Sequence, residues 1–218
     1  MNSQRFLWSF ILLFFTLAST AQDAYEWKFK KEKSGIKVYT RDVSDTNLKE
    51  LKITLEVQAS MSSIVALLMD VDEYQNWVYR CAKSKTVKVI DQNHTYDYYV
   101  VDFPWPMADR DLMAYSYIEQ DPETKVLTSI TKARPDYTPK NDGYVRIIQH
   151  INKWVFTPLA PNRVAVEYTL NSSPAGSIPN WLVNMAIDQG PVQSMLRFRD
   201  MLNNQPYKDA KLAGILEF

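Results

Sequence analysis

The segment from Asp97 to Tyr117 carries the charged residues best placed to do chemistry. It reads D-Y-Y-V-V-D-F-P-W-P-M-A-D-R-D-L-M-A-Y-S-Y. Its two aromatic and β-branched runs are typical of strands, and the prolines between them indicate a turn that leaves the sheet. Arg110 stands between Asp109 and Asp111 in this apolar setting, and a partly buried guanidinium needs a paired acceptor. The alternative is an ordinary hairpin whose ion pair is only structural.

Other residue types that support catalysis are scarce. The chain has two histidines and one cysteine. We expect His94, in a predicted turn, to be solvated, and His150, within a predicted strand, to be structural. The sequence contains no H-E-x-x-H, cysteine cluster, phosphate loop or G-x-S-x-G, and no carboxylate pair recognisable as an acid–base dyad. We therefore predict no catalytic residue, no metal ligand and no cofactor, and we expect a binding protein rather than an enzyme.

Alternating hydrophobicity predicts most of the sheet. The run from Leu51 to Val57 alternates apolar and polar residues, which is typical of an antiparallel sheet with one face in water. Turn signals separate further runs of the same kind, and many adjacent strands favour an antiparallel meander. The predicted strands are Ile36–Arg41, Leu48–Val57, Ala82–Ile90, Thr95–Phe103, Arg110–Glu119, Lys125–Lys132, Tyr144–Phe156 and Arg163–Leu170.

Three helices are predicted around this sheet. Tyr25–Lys33 is predicted to be a short helix leading into the domain, and Ser60 or Ser62 to cap a second short helix. Asn180–Leu202 has the apolar spacing of a long amphipathic helix. Gly190-Pro191 lies inside it, and a proline at this position predicts a kink. The resulting architecture is a long antiparallel sheet wrapped around one C-terminal helix.

Four segments, in this order along the chain, resemble one known family. They are G-I-K-V-Y-T-R at Gly35–Arg41, L-L-M-D-V-D-E-Y-Q-N-W at Leu67–Trp77, F-P-W-P-M-A-D-R-D-L at Phe103–Leu112 and I-P-N-W-L-V-N at Ile178–Asn184. They resemble, in turn, the first strand, the short helix leading to a Trp, the P-F-P…R-D segment and the start of the C-terminal helix of START domains. These are the StAR-related lipid-transfer modules, and the spelling is most similar to the phosphatidylcholine-transfer type.

The resemblance implies an α+β helix-grip fold, START or Bet v 1-like, with a curved antiparallel sheet wrapped around a long C-terminal helix. It also implies a hydrophobic cavity. In START domains the side chains at even offsets from the Arg of the R-D motif face this cavity, and the C-terminal helix closes it. The implied lining residues are Asp97, Tyr99, Val101, Arg110, Leu112, Ala114, Ser116, Trp181, Leu182, Met185, Val192 and Leu196. The segment from Trp181 to Leu196 would form a lid with its weak point at the Gly190-Pro191 kink.

Within this implied cavity, Arg110 is the polar anchor. Its partner would be the head group of a ligand or one of the carboxylates Asp97, Asp109 and Asp111. Sterol-binding members resemble one another in pairing an acid with an Arg six residues after the motif Arg. Ser116 occupies that position here, so the resemblance disfavours a sterol.

The function that we predict is binding, with transfer between membranes as its extension, of one lipid or other hydrophobic molecule. Two alternatives stay open. A cofactor-free cyclase or hydratase on the same fold predicts a convergent polar cluster with shifted pKa values. A protein–protein module predicts that the aromatic and Met residues only fill a core.

The balance of charged residues limits the classes of partner that we expect. Lys plus Arg and Asp plus Glu both number 25, so nothing indicates nucleic acid. We expect a hydrophobic ligand, transient contact with a membrane and a monomeric chain. Cys81 is the single cysteine and cannot form an internal disulfide, so stability must come from packing.

The N-terminus predicts export. Arg5 precedes an almost wholly apolar run, Phe6–Leu17, and Ser19-Thr20-Ala21 supplies small residues for cleavage before Gln22. This run is too short for a membrane span of about 20 residues. We therefore predict a signal peptide over residues 1–21, a lipid-binding domain over 22–218, and a periplasmic or secreted location. The alternative is an uncleaved N-terminal anchor.

Overall fold

The computed structural model describes residues 26–43 and 47–218 of the chain. The predicted signal peptide, residues 1–21, lies outside the described residues. Ten strands form one sheet in the order β1-β2-β3-β10-β9-β7-β6-β5-β4, and β8 pairs with β6 beside this path. The strands are β1 Lys28–Lys33, β2 Ile36–Asp42, β3 Lys49–Val57, β4 Cys81–Asp91, β5 His94–Val101, β6 Arg110–Gln120, β7 Leu127–Ala133, β8 Val145–Arg146, β9 Gln149–Ala160 and β10 Arg163–Ser173.

The sheet confirms the alternating pattern. The pairs along the main path are antiparallel, and only the short β8 runs parallel to its neighbour. On β3, Leu51, Ile53 and Leu55 are buried, whereas the residues between them are partly exposed or exposed. One face of the sheet therefore packs inward and the other meets solvent.

The helix predicted over Tyr25–Lys33 is wrong, because Lys28–Lys33 is strand β1. Ser34 and Gly35 both have positive φ angles, 53° and 77°. Such a two-residue turn matches the twist of a β-hairpin and directs the chain back as β2. The hairpin geometry overrides the charged, helix-tolerant composition, and every β1 residue is exposed.

In the described part of the chain, four α-helices accompany the sheet: α1 Met61–Met69, α2 Tyr74–Trp77, α3 Asn180–Ala186 and α4 Gln189–Met201; a short 3₁₀ helix, Val71–Glu73, lies between α1 and α2. Ser60 caps α1, accepting a hydrogen bond from the Ser63 amide at 3.0 Å. Among the described residues, no helix has both the length and the apolar character needed to cross a membrane.

The C-terminal helix breaks earlier than predicted. The break falls at Ile187-Asp188, between α3 and α4, rather than as a kink at Gly190-Pro191. Pro191 lies in the first turn of α4, where a backbone amide has no partner within the helix, so it costs nothing there. Asp188 is the N-cap residue of α4, and its buried carboxylate contacts Lys30 and Lys31 of β1. Burial raises the pKa of Asp188, but the two lysines outweigh it and hold the pKa below its ordinary value.

Helix α4 supplies the main core. Val192, Met195 and Phe198 are buried against the inner face of the sheet. The Phe198 ring lies 5.2 Å from that of Trp154 on β9 and 5.5 Å from that of Trp77 on α2, measured between centroids. This aromatic cluster fixes α4 to the sheet.

Candidate ligand-binding site

The predicted lining residues of β5 and β6 share the inner face of the sheet. The register pairs Asp97 with Ala114, Tyr99 with Leu112 and Val101 with Arg110. Residues directly opposite in an antiparallel pair point to the same face. Tyr99, Leu112 and Ala114 pack together with Val71 and Ile147 in a second buried cluster. Ser116 lies two residues beyond Ala114 and therefore continues the same row.

Arg110 is buried, but its partners are backbone carbonyls. Its guanidinium donates to the carbonyl oxygens of Pro174 at 3.1 Å, of Ala175 at 3.5 Å and of Ala108. The Phe103 ring covers it at 4.1 Å from centroid to Cζ. Burial lowers the pKa of Arg110, and the charge of Asp109 opposes this. Arg110 therefore ties the β5–β6 loop to the segment that leads into α3.

A different arginine pairs with Asp111, one of the carboxylates predicted as a partner for Arg110. Arg146 of β8 donates Nε and Nη2 to the two oxygens of Asp111, both at 2.9 Å. Both residues are buried, and Arg146 also donates to the carbonyl of Thr138 at 3.2 Å. The bidentate pair fixes the 134–146 segment to the outer face of β6. Asp111 cannot serve Arg110, because the two residues are neighbours on a strand and point to opposite faces.

Asp97 is a buried carboxylate held by hydroxyl groups. It accepts hydrogen bonds from Thr86 at 3.0 Å and from Thr95 at 2.8 Å, and none of its side chain is exposed. Burial raises the pKa of Asp97, and hydrogen bonds from Ser116, Thr95, Thr86 and Tyr99 only partly offset this. The ion pairs of the described residues do not include Asp97.

Asp97 belongs to a row of polar side chains that crosses the inner face. Thr95 is opposite Ser116, Ser116 is opposite Thr131, and Thr131 is opposite Asn152. The hydroxyls of Ser116 and Thr131 are 3.2 Å apart. We call this row the polar belt; its members are Thr86, Thr95, Asp97, Ser116, Thr131, His150, Asn152 and Ser172. A crevice of about 40 Å³ opens between the end of α1 and strands β5, β6 and β7, and reaches Asp97.

The far end of the polar belt leaves one acceptor free. Ser172 donates its hydroxyl to the Gln149 carbonyl at 3.4 Å, so it accepts from His150 Nδ1 at 3.0 Å. His150 Nε2 then accepts from the Asn152 amide at 3.4 Å. Asn152 Oδ1 is buried and has no partner among the described residues.

His150 lies at the far end of the belt. Its side chain is partly buried, and burial lowers its pKa to about 4, below the ordinary value of 6.5. His150 is therefore neutral at pH 7 and offers no positive charge.

The predicted helix residues separate into two groups. Val192 is buried in the α4 core, and Leu196 packs partly against it. No residue of α3 is buried; Trp181 is 67% exposed, Met185 is 59% exposed, and Leu182 is partly buried. Thus the buried apolar residues predicted on the strands and the predicted α4 residues lie in two separate clusters, and α3 lies outside both.

Sequence reasoning does not identify two parts of this site, Asn152 and the Arg146–Asp111 pair. It predicts a structural role for His150. The spacing of His150, Asn152 and Trp154 gives them a common face, and this alternation was the available signal. The described residues hold no group of three or more His, Cys, Asp or Glu side chains arranged for a metal ion.

A curved antiparallel sheet with a C-terminal helix on its inner face is a helix-grip fold, as predicted. The START domain family matches residues 16–208, so the chain belongs to this family. A fragment of the STAR-related lipid transfer protein of Xanthomonas axonopodis is similar in structure, with 31% identity and a TM-score of 0.76 over 82% of this chain and 99% of that one.

Two relatives are similar in sequence. An uncharacterised protein of Pseudomonas aeruginosa is 29% identical over 176 residues, which is 81% of this chain and 86% of the relative. The phosphatidylcholine transfer protein of Rattus norvegicus is 26% identical over 189 residues, which is 83% of this chain and 85% of the relative. The family and the α+β helix-grip fold predicted from the sequence are thereby confirmed.

Proposed function

We propose that the protein binds one lipid or similar hydrophobic molecule between the inner face of the sheet and the C-terminal helices, and carries it between membranes. The observation that supports this most is the polar belt. Polar side chains, among them the free acceptor Asn152 Oδ1, lie within an otherwise apolar inner wall, as in small-molecule sites that orient a ligand with a few polar groups. A filled core would place apolar residues at these positions.

Uptake of a lipid requires part of the wall to move. The crevice of about 40 Å³ is far below the roughly 300–1,000 Å³ of ordinary ligand pockets. Helix α3 is the part that can move at least cost, because it buries no side chain. Its Asn184 side chain contacts Lys49 N at 2.9 Å and Asn47 O at 2.8 Å. The lid is therefore α3, rather than the whole segment from Trp181 to Leu196.

The membrane contact lies beside α3. Trp105 in the β5–β6 loop is 92% exposed, and Trp181 and Met185 of α3 are exposed as well. Arg110 joins the loop to the segment before α3 through carbonyls on both sides. Exposed tryptophans favour the interface between lipid and water. The protein would meet the membrane where its lid opens.

Vesicle-to-vesicle transfer of a fluorescent lipid tests this proposal. The full mature chain should speed the transfer, and the double variant Trp105→Ala and Trp181→Ala should slow it at least about fivefold. The matched control is Val89→Ala, which truncates a side chain about as exposed as Trp181 (64% against 67%) at the β4–β5 end of the sheet. If wild type transfers no lipid, the function is wrong; if the double variant transfers as fast as Val89→Ala, only the contact surface is wrong.

The export proposal is separate. We propose cleavage after Ala21 and a periplasmic or secreted protein, on the strength of the apolar run and the small residues before Gln22. Mass spectrometry of the protein from its native cells should give a chain that begins at Gln22. A purified chain that still carries Phe6–Leu17 would contradict this.

One observation favours the enzyme alternative, a cyclase or hydratase. Burial raises the pKa of Asp97, as a general acid requires. However, its hydrogen-bonding partners are hydroxyl groups, and the other strongly shifted group of the belt, His150, lies on β9, about 14 Å away across three strand spacings. Asp97 therefore has no nearby base, and we place binding first.

A further inference from the structure

We propose that the polar belt selects a lipid whose polar end carries free hydroxyl or N–H groups and no phosphate. This inference rests on the proposed function and names its ligand class. Two features of the described residues support it: the free acceptor that the belt offers, and the cations that it lacks.

The first feature is the free hydrogen-bond acceptor of the polar belt. The Asp97 carboxylate already accepts from four surrounding hydroxyl groups, including those of Thr86 at 3.0 Å and Thr95 at 2.8 Å, so it is not the free acceptor of the belt. Asn152 Oδ1 receives no hydrogen bond from the described residues and is buried. A buried acceptor without a partner is costly, and a ligand that donates a hydrogen to it removes that cost. A hydroxyl or amide N–H is such a donor, whereas a phosphodiester offers only acceptors.

The lack of cations is the second feature. On the inner positions of β5, β6, β7, β9 and β10 in the described chain, Arg110 is the sole Lys or Arg. Its guanidinium already donates to three carbonyls and is covered by Phe103. It also lies six residues from Ser116 along β6, about 20 Å from that part of the belt. Helix α3 carries no charged residue.

A phosphate brought to this wall would meet hydroxyl groups but, among the described residues, no cation free to neutralise its charge. Burying an anion without a cation is strongly unfavourable, and the Asp97 carboxylate, where ionised, would repel it further. His150 is neutral and cannot compensate. The wall therefore distinguishes a neutral lipid from a phospholipid with the same acyl chains, even though one relative in sequence is a phosphatidylcholine transfer protein.

A competition experiment tests this on the full mature chain. Vesicles contain phosphatidylcholine, with diacylglycerol and phosphatidic acid at one tenth each, all with identical acyl chains. The protein is incubated with these vesicles and re-isolated. Native mass spectrometry then measures the mass of the protein together with its bound lipid. We expect bound diacylglycerol, corrected for its share of the vesicle, to exceed each phospholipid at least about tenfold. Equal or greater loading of either phospholipid overturns the inference but leaves the proposed function standing.

Variants locate the selection. Asn152→Leu removes the free acceptor, and we expect the preference for diacylglycerol to fall about tenfold. The matched control is Asn204→Leu, which makes the same change at an exposed position after α4. A preference unchanged in a folded Asn152→Leu protein removes Asn152 from the site. If that variant does not fold, the wild-type competition still decides the inference. A wild-type chain that takes up none of the three lipids overturns both this inference and the proposed function.

Discussion

The two halves of the C-terminal helical segment differ sharply in how they are held. Helix α4 buries Val192, Met195 and Phe198 in the main core, whereas α3 buries nothing and leaves Trp181 mostly exposed. The two helices are separated only by Ile187 and Asp188. The difference teaches that one end of the molecule is built for stability and the other for opening, within a single run of about 20 residues.

The largest predicted effect compares these two helices directly. Phe198→Ala should lower the free energy of unfolding by about 3–5 kcal/mol, because it leaves a cavity among Trp77 and Trp154. Trp181→Ala removes a larger side chain but should cost no more than about 0.5 kcal/mol, because that side chain is exposed. Urea unfolding of both variants measures the two values. Similar losses would mean that α3 is part of the core.

The second prediction compares the two buried arginines. Arg146→Ala strands the Asp111 carboxylate and should cost about 3–5 kcal/mol, and Arg146→Lys should not restore the bidentate pair. Arg110→Ala leaves only carbonyls unpaired and should cost less, about 1–3 kcal/mol. Thermal or urea unfolding decides between them. A larger loss at Arg110 would contradict the assignment of Asp111 to Arg146.

These two arginines also indicate how far sequence reasoning reaches. The burial of Arg110 was predictable, because a charge among apolar residues on a strand must be enclosed. Its partners were not, because the carbonyls of Pro174 and Ala175 lie more than sixty residues away in sequence. Arg146 reaches Asp111 only because the 134–146 segment folds over the outer face, and loop paths leave no periodic signal.

The belt and the helix break were hidden for different reasons. Around His150 the sequence reads I-I-Q-H-I-N-K-W, so apolar residues fall on both faces and the inward polar residues break the usual alternation. Ligand walls commonly break this rule. At the helix break, the prediction rests on Pro191, because proline usually kinks a helix. The break instead lies at Ile187-Asp188, where Lys30 and Lys31 hold the Asp188 carboxylate. By contrast, strand parity together with the START resemblance predicts a common face for Asp97, Tyr99 and Leu112, and the register agrees.

The smallest predicted effect depends on pH and tests whether His150 is desolvated in the folded chain. The folded pKa of His150, about 4, lies below the ordinary 6.5, so the unfolded chain takes up the proton first. The stability it contributes is complete above pH 6.5 and is lost as the pH falls towards 4. We expect wild type to lose about 1–3 kcal/mol more than His150→Gln over that range. Parallel pH profiles would place His150 in open solvent.

Hydrogen exchange of the empty and lipid-loaded chain tests most directly that a lipid enters beneath α3 while α4 stays fixed. In the empty chain, amides of residues 180–186 should exchange much faster than those of residues 192–201. Loading should slow exchange in α3 and in the belt strands, and leave α4 unchanged. Slow exchange throughout α3 in the empty chain, or lipid protection confined to α4 or the outer face of the sheet, would contradict this.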